Sequence, residues 1–254
     1  MDWLRRLTGK SKSKVTWHDK ATFSVGGHHI TMDYEHGGSK RKSQQSDFTM
    51  MKSRSFLDQY LKHEGEDFKR VLELGVYQGG SFVFLNEVFK PRKIVAVELS
   101  EVPIPALDAY IEAQRGRAKL YYGTSQDNEA KLTEIVKTDF GGELDLVVDD
   151  ASHFYDQTKA SFRTLFPKLR PGGLYIIEDW SWSFFEPYQP ADHPWAEHHS
   201  LANLAIDLME EMALAEVIES FEVSPHMIKV RRSKKSAHPI FQKTSRRGRE
   251  YNLM

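Results

Sequence analysis

The chain has 254 residues, of which 40% are hydrophobic and 28% are charged, and its formal net charge is -1. These values are typical of a globular protein that is long enough for one large α/β domain with appendages. A near-neutral charge gives no reason to expect nucleic acid as a main partner. The absence of cysteine excludes disulfides, thiolate nucleophiles and cysteine metal sites.

From the sequence we expect neither a membrane span nor a secretory signal. No apolar run approaches the roughly 18 residues of a membrane span, and residues 1–10 lack the continuous apolar core of a secretory signal. We therefore expect a cytoplasmic protein. Residues 1–20 favour a tail over an amphipathic turn at a membrane surface. The basic end from Arg231 to Arg249 favours a solvated tail over a nucleic-acid or phospholipid patch.

Residues 1–69 predict an N-terminal appendage. The segment Ala21–Met32 has two short strand-like runs around a Gly-Gly pair, which is typical of a hairpin. Residues 35–47 are polar, and both a lid and a linker fit them. The segment Met50–Lys62 predicts a helix with one apolar side, formed by Phe56, Leu57 and Tyr60.

Residues 70–232 predict the main domain, and residues 233–254 a basic tail. Short apolar runs alternate with helical patterns here, as in a parallel sheet with crossover helices. The predicted strands are Arg70–Gly75, Lys93–Glu98, Ala118–Tyr122, the apolar run within Leu144–His153 that leads into Asp149-Asp150, and the run within Leu174–Trp180. The predicted helices are Ser81–Phe89, Ala106–Arg115, Glu129–Lys137, Tyr155–Leu169 and Leu201–Leu214. A turn is expected at Arg170–Gly173, and a closing antiparallel hairpin at Val217–Val223 and Met227–Val230.

Two of these strands end in adjacent carboxylates, Asp149-Asp150 and Glu178-Asp179. A crossover helix between them places both acidic ends at the same edge of a parallel sheet. Ligands of open α/β sheets bind at that edge. We therefore expect these four carboxylates and His153 to line one crevice.

The residue types at this edge suggest a metal and a base. Crowded carboxylates repel each other unless a cation or protons compensate, and oxygen ligands suit Mg²⁺, Mn²⁺ or Ca²⁺ better than zinc. Asp150, Glu178 and Asp179 are the expected ligands, and His153 is the best-placed general base. In the alternative interpretation, Asp149 and Asp150 cap a helix and His153 is structural.

A second motif, Glu73-Leu-Gly-Val-Tyr-Gln-Gly79, combines a strand end with a glycine turn into a helix. Its Gly-x-x-x-Gly spacing differs from the Gly-x-Gly-x-x-Gly of dinucleotide-binding proteins, which disfavours a loop that holds a pyrophosphate. Glu98 ends the next strand, where a carboxylate can accept hydrogen bonds from both hydroxyls of a ribose. The alternative for Glu98 is a surface acid.

Together these motifs, with Gly123–Asp127 and the Pro-Gly-Gly strand after Asp149, resemble class I S-adenosylmethionine-dependent methyltransferases. The resemblance covers roughly residues 70–232. It implies a Rossmann-like, seven-stranded, mostly parallel sheet with a reversed last strand and helices on both faces. It also implies S-adenosyl-L-methionine as cofactor, bound by residues at the strand ends: Glu73, Gly75, Tyr77, Gly79, Ser81, Glu98, Ser125, Asp127 and Asp149.

The acidic motifs Asp-Asp-Ala-Ser-His and Ile-Glu-Asp-Trp are similar to those of metal-dependent sugar O-methyltransferases of macrolide tailoring. This resemblance implies Mg²⁺ (or Mn²⁺) at Asp150, Glu178 and Asp179, and removal of the hydroxyl proton by His153. The acceptor expected is a small molecule or saccharide, in first place a sugar of a glycoconjugate or natural product.

Other functions stay open at this point. They are methylation of a catechol-like aromatic diol, an iron-dependent oxidation, and a partner subunit that binds the cofactor without turnover. The N-terminal region before Arg70 is shorter than in the macrolide enzymes, so their tetramer and substrate are not carried over. A homo-oligomer is left open.

Aromatic residues follow the second acidic motif, where they could stack on a sugar ring or pack a lid. They are Trp180, Trp182, Phe184, Phe185, Tyr188 and Trp195. The spacing of His193, His198 and His199 does not mark them as metal ligands.

Overall fold

The structure, a computed structural model, describes residues 14–33, 41–235 and 240–241. Most of the predicted N-terminal tail, residues 35–40 of the polar loop and most of the basic C-terminal end lie outside these ranges. Within the described ranges, no helix is long and apolar enough to cross a membrane.

The N-terminal segment forms a four-stranded sheet followed by a helix. The strands are β1 (Val15–Trp17), β2 (Thr22–Val25), β3 (His28–Met32) and β4 (Asp47–Met50), and the helix is α1 (Arg54–Leu61). The sheet order is β1-β2-β3-β4, and the predicted hairpin is the antiparallel β2–β3 pair. Strand β4 pairs with β3 in parallel.

The rest of the chain builds an α/β domain. Its strands are β5 (Arg70–Leu74), β6 (Lys93–Val97), β7 (Ala118–Tyr121), β8 (Leu144–Asp149), β9 (Leu169–Glu178), β10 (Ile218–Val223) and β11 (Met227–Arg232). They form one sheet in the order β10-β11-β9-β8-β5-β6-β7. Strands β5 to β9 are parallel, and β11 runs antiparallel between β9 and β10. The expected fold class is confirmed, with β11 as the reversed last strand.

Helices cover both faces of this sheet. They are α2 (Gly80–Phe89), α3 (Pro105–Ala113), α4 (Glu129–Phe140), α5 (Tyr155–Leu165) and α6 (Ala202–Ala215). Apolar residues of α2 and α3 belong to one core, and those of α4, α5 and α6 to the other. Side chains that alternate along β5 and β8 point into both cores, which is why these strands read as continuous apolar runs.

The N-terminal sheet adds a third layer outside α2. Phe23 meets Phe84 of α2 with ring centroids 6.0 Å apart, and every residue of α2 is buried. A Cβ at Gly80 would lie 2.5 Å from the carbonyl oxygen of Thr49, so only glycine permits this approach of two backbones. The contact holds the end of β4 against the start of α2.

Three details differ from the expectations. Strands β1 and β4 were not predicted because they are short and depend on pairing with β2 and β3. Met50 ends β4, so the first helix begins only at Arg54. The expected turn at Arg170–Gly173 is the irregular start of β9, because Leu169 pairs with Leu144 and the register then shifts.

Candidate active site

A cavity of about 510 Å³ opens at the carboxyl ends of the central strands. The loops that follow β5, β6, β8 and β9 contribute to its wall. Eight of the predicted site residues line it: Gly75, Tyr77, Glu98, Ser125, Asp127, Asp150, His153 and Asp179. The cavity therefore joins the glycine motif to the acidic motif, as the sequence predicts.

The glycine motif forms one end of the cavity. A Cβ at Gly75, whose φ is +80°, would lie 2.2 Å from the carbonyl oxygen of Asp150, so a side chain there would clash with the next strand end. Glu98 Oε2 accepts a hydrogen bond of 3.1 Å from the backbone N–H of Val76, and its Oε1 accepts one of 2.9 Å from Ser100. These bonds fix the Glu98 carboxylate beside the turn.

Tyr77 belongs to this end as well, and its hydroxyl donates to Asp33 of the N-terminal sheet at 3.1 Å. Ser125 and Asp127 lie on the loop after β7, where the Ser125 hydroxyl donates to Asp127 Oδ1 at 2.5 Å. The turn, Glu98 and this loop thus surround one half of the cavity.

Gly79 and Ser81 do not line the cavity. Gly79 has a φ of +84°, and a Cβ there would meet the Leu107 side chain, so this glycine serves the turn and the packing of α2 on α3. The Ser81 side chain is buried.

Glu73 is buried beneath the turn, and neither of its carboxylate oxygens has a hydrogen-bond partner within the described ranges. Burial raises the pKa of Glu73 to about 8. The nearby Ser81 hydroxyl and Lys52 oppose this rise, although the Ser81 geometry falls short of a hydrogen bond. Glu73 is therefore an uncompensated acid under the cavity.

Asp149 is also buried outside the cavity wall. It accepts hydrogen bonds from Ser161 (2.6 Å), Tyr175 (2.9 Å) and Gln126 (3.0 Å). Gln126 Oε1 in turn accepts from the backbone N–H of Ser152 at 2.7 Å. Burial raises the pKa of Asp149 to about 6. Its carboxylate thus organises the loop before α5, and the cofactor contact expected of Asp149 stays a prediction.

Asp150, His153 and Asp179 form the other end of the cavity. Each can offer one donor atom such that the three atoms lie within 4.8 Å of one another. His153 Nε2 lies 3.8 Å from Asp150 Oδ1. Burial, followed by the charge of Asp150, raises the pKa of Asp179. The two carboxylates of this cluster, Asp150 and Asp179, can hold a hard divalent cation, and His153 lies beside them.

Strained backbone accompanies three cavity residues. Tyr77, His153 and Asp179 have φ angles of 50°, 59° and 50°, a region that residues other than glycine rarely adopt. The Trp182 indole donates to the carbonyl oxygen of His153 at 2.8 Å, and the Asp179 N–H donates to that of His226 at 2.9 Å. These bonds hold the strained residues in place.

Glu178, the third predicted metal ligand, does not line the cavity. One of its oxygens accepts from Lys52 and the other from the hydroxyl of Tyr60, and all three side chains are buried. Lys52 Nζ also donates to Asp150 Oδ2 at 2.5 Å. The sequence did not identify Lys52 or Tyr60 as site residues, because both come from the N-terminal segment and no motif marks them.

The charges around Lys52 determine its protonation. Burial alone would lower its pKa, but the carboxylates of Asp150 and Glu178 hold the pKa of Lys52 well above its usual value. Burial, followed by the charge of Asp150, raises the pKa of Glu178, and Lys52 opposes that rise. Lys52 is therefore a fixed positive charge at the acidic end of the cavity.

The aromatic residues after β9 divide into two groups. Trp182, Tyr188 and Trp195 pack together next to Phe154, which lines the cavity, with Phe154 and Trp195 ring centroids 5.1 Å apart. The ring of His198 stacks on Phe154 at 3.7 Å. Phe184 and Phe185 are more than half exposed. Of these rings, Phe154 lines the cavity, the packed group lies behind it, and Phe184 and Phe185 lie at the surface outside the cavity lining.

Residues 72–180 match a family model described as "Methyltransferase domain". This segment is therefore similar to methyltransferase domains, and the resemblance stated from the sequence is confirmed.

The chain is also similar in sequence to curated proteins that are named O-methyltransferases. Demethylmacrocin O-methyltransferase of Streptomyces fradiae is 31% identical over 137 residues, which are 51% of this chain and 32% of that protein. Mycinamicin VI 2''-O-methyltransferase of Micromonospora griseorubida is 29% identical over 146 residues, 52% of this chain and 34% of that protein. A third relative is 8-demethyl-8-(2-methoxy-alpha-L-rhamnosyl)-tetracenomycin-C 3'-O-methyltransferase of Streptomyces olivaceus. It is 33% identical over 150 residues, which are 56% of this chain and 36% of that protein. The chain spans about a third of the length of these relatives.

Solved structures agree on the fold. MycE methyltransferase from the mycinamycin biosynthetic pathway, in complex with Mg, SAH and mycinamycin VI, superposes with a TM-score of 0.52 and 26% identity over 71% of this chain and 49% of that chain. SAH-bound methyltransferase PaMTH1 of Podospora anserina has a TM-score of 0.52 and 21% identity, over 72% of this chain and 80% of that chain. The second likeness shows the fold alone.

Proposed function

We propose that the chain is an S-adenosylmethionine-dependent, Mg²⁺-dependent O-methyltransferase that acts on a sugar hydroxyl of a glycosylated natural product. One observation carries the proposal. A single cavity joins a glycine turn with a fixed carboxylate, Glu98, to a cluster of Asp150, His153 and Asp179. A methyl donor and an acceptor need such adjoining sites.

The glycine end fits the methyl donor. Gly75 lets the backbone approach a ligand closely, and both Glu98 oxygens remain beside the turn to accept from ribose hydroxyls. Ser125 and Asp127 would flank the adenine. A volume of about 510 Å³ lies within the usual range of small-molecule sites, roughly 300–1,000 Å³.

The acidic end fits a divalent cation, because its carboxylates exceed the positive charge that Lys52 supplies. Asp150 and Asp179 would hold Mg²⁺, and Glu178, the third predicted ligand, lies behind them. A bound Mg²⁺ orients an acceptor hydroxyl and lowers its pKa.

His153 is the proposed general base, because its Nε2 lies at the cavity beside the acidic cluster. Bound S-adenosylmethionine would supply the methyl group: a C–O bond would form between the acceptor oxygen and the methyl carbon as the S–C bond breaks, leaving S-adenosylhomocysteine. The proton of the hydroxyl passes to His153 Nε2. The hydrogen bond from Trp182 to the His153 carbonyl oxygen holds the base in position.

The substrate class is proposed from the relatives. Their names specify methylation of macrolide or rhamnosyl-tetracenomycin compounds at numbered sugar positions. Phe154 and the exposed Phe184 and Phe185 provide apolar surface on which a sugar ring can stack. Residues 70–232 would form the catalytic core.

Calorimetry of the purified chain with S-adenosylhomocysteine, with and without Mg²⁺, tests the cofactor. We expect micromolar binding, and loss of most of that affinity in Glu98→Ala, with the exposed Glu219→Ala as matched control. A screen with rhamnosylated macrolides and polyketides, beside catechol, then tests the acceptor. Absence of binding by the wild-type chain would contradict the proposal, and methylation of catechol alone would contradict the sugar assignment.

A further inference from the structure

Lys52 contacts the carboxylates at the acidic end of the cavity from a segment that precedes the α/β domain. It lies between β4 and α1, and the backbone just before it is held against α2 by the close contact of Thr49 with Gly80. Its side chain is 4% exposed. A lysine at such a depth persists because carboxylates surround its ammonium group.

The three carboxylates at the acidic end, Asp150, Glu178 and Asp179, differ in how many of their oxygens Lys52 and Tyr60 occupy. Lys52 uses one oxygen of Glu178, and Tyr60 uses the other, so both Glu178 oxygens have partners. Asp150 gives only Oδ2 to Lys52, while its Oδ1 faces His153. Asp179 shares the donor cluster with Asp150 and His153, and Glu178 does not.

We propose that Lys52 is a built-in cation that takes Glu178 out of the metal site and confines a divalent ion to Asp150 and Asp179. The inference rests on the proposed function, since it refines the metal site of that reaction. Lys52 is a positioning residue here, because it acts on the metal through two carboxylates.

The electrostatic consequence is a weaker metal site. The Lys52 ammonium group lies within hydrogen-bond distance of Asp150 and repels an incoming divalent ion. It also neutralises carboxylate charge that would otherwise attract the ion. Without Lys52, the buried Glu178 would keep its hydrogen bond from Tyr60 but lose its counter-charge next to Asp150. A metal ion would then be its natural counter-ion.

A double-mutant cycle tests this arrangement. Binding of Mn²⁺, measured from the electron paramagnetic resonance signal of the free ion, is compared among the wild type, Lys52→Met, Glu178→Gln and the double variant. We expect Lys52→Met to bind Mn²⁺ about tenfold tighter, because neighbouring charges couple at that order. Glu178→Gln should change the wild type by less than about threefold, yet weaken Lys52→Met by about tenfold.

Lys229→Met is the matched control. Lys229 is 3% exposed and contacts Gln59 and Glu222 away from the acidic cluster, so its loss should leave Mn²⁺ affinity unchanged. Asp179→Asn should weaken binding in both the wild-type and the Lys52→Met background. Thermal unfolding adds a second readout, because Mn²⁺ should raise the Tm of Lys52→Met more than that of the wild type.

The outcomes separate the inference from the proposed function. Equal or weaker Mn²⁺ binding by Lys52→Met would overturn the inference alone, as would a large loss for Glu178→Gln in the wild-type background, since Glu178 would then be a ligand. Binding by Lys52→Met but not by the wild type would support it. If neither protein binds Mn²⁺, both the metal site and the inference fail. The Glu178→Gln arm decides the question even if Lys52→Met does not fold.

Discussion

The two ends of strand β8 both carry buried acids, but the acids are compensated differently. At the start of the strand, Asp145 accepts hydrogen bonds from Arg70 Nε at 3.0 Å and from Arg170 Nε at 2.5 Å. At the other end, Asp150 shares one lysine with Glu178, and Asp179 stands beside them. At the first end, Arg70 and Arg170 balance the charges of Asp145 and Glu143, whereas at the second end the carboxylates outnumber Lys52.

This difference separates structure from chemistry. Although burial opposes it, hydrogen bonds from Arg70 and Arg170 hold the pKa of Asp145 below its usual value, and its carboxylate does not line the cavity. At the acidic end, burial raises the pKa of Glu178 and Asp179. Excess charge at a cavity is expected where a site takes up a cation or moves a proton. Changes at the two ends should therefore affect different measurements.

The largest effect should come from His153. In His153→Ala we expect turnover to fall by ~10²–10⁴-fold, because the hydroxyl proton loses its acceptor. Calorimetry should show unchanged affinity for S-adenosylhomocysteine, since His153 lies at the acidic end of the cavity. Single-turnover methyl transfer under saturating donor measures the effect.

His18→Ala is the control for this change, because His18 contacts Ser24 in the N-terminal sheet and does not line the cavity. Its turnover should match that of the wild type. Undiminished turnover of His153→Ala would show that another group takes the proton, and the role of the acidic end would then be metal binding alone.

A substitution at the start of β8 should lower the stability of the fold. In Asp145→Ala, the guanidinium groups of Arg70 and Arg170 lose a carboxylate that is 2% exposed, and we expect the free energy of unfolding to fall by about 2–4 kcal/mol. Both arginines retain some access to water, which limits the loss. Urea unfolding followed by circular dichroism measures it.

Glu143→Ala is the matched control, since Glu143 pairs with Arg70 at the surface and should change stability by less than about 1 kcal/mol. Affinity for S-adenosylhomocysteine should persist in Asp145→Ala. If cofactor affinity falls while stability stays constant, the division between the two ends of the strand is wrong.

The strands that carry the acidic residues could be predicted from the sequence, and the reasons can be identified. Apolar runs that end in carboxylates, such as Leu144–Asp149, show both the strand and its functional end. Crossover helices then place Asp150 and Asp179 at one edge. The glycine turn at Gly75 was predictable because glycine after a strand end indicates a tight turn. In the structure, the absent side chain at Gly75 leaves room for the backbone of Asp150.

The contribution of the N-terminal segment was not predictable in the same way. Lys52 and Tyr60 precede the domain, and their contacts with Glu178 span 126 and 118 residues. Pairing of β4 with β3 and the fit of Thr49 against Gly80 determine where Lys52 lies. Such contacts depend on tertiary packing, which local patterns do not encode.

The smallest expected effect sharpens the comparison through its pH dependence. Burial raises the pKa of Glu73 to about 8 from a usual 4.5, so the stability associated with this group is complete below pH 4.5 and is lost as the pH rises towards 8. Asp145 has the opposite sign, because its lowered pKa means that its contribution is lost as the pH falls below 3.8.

Glu73→Gln removes an acid that must be charged at high pH, so we expect the variant to be about 1–3 kcal/mol more stable than the wild type at pH 8.5. The difference should vanish near pH 4, below the usual pKa, where Glu73 is largely neutral in both the folded and the unfolded state, whereas the exposed Glu219→Gln should show no such trend. Urea unfolding at the two pH values in metal-free buffer provides the measurement. A constant difference between Glu73→Gln and the wild type at both pH values would mean that Glu73 does not titrate in this range, and that the uncompensated charge is confined to the cavity itself.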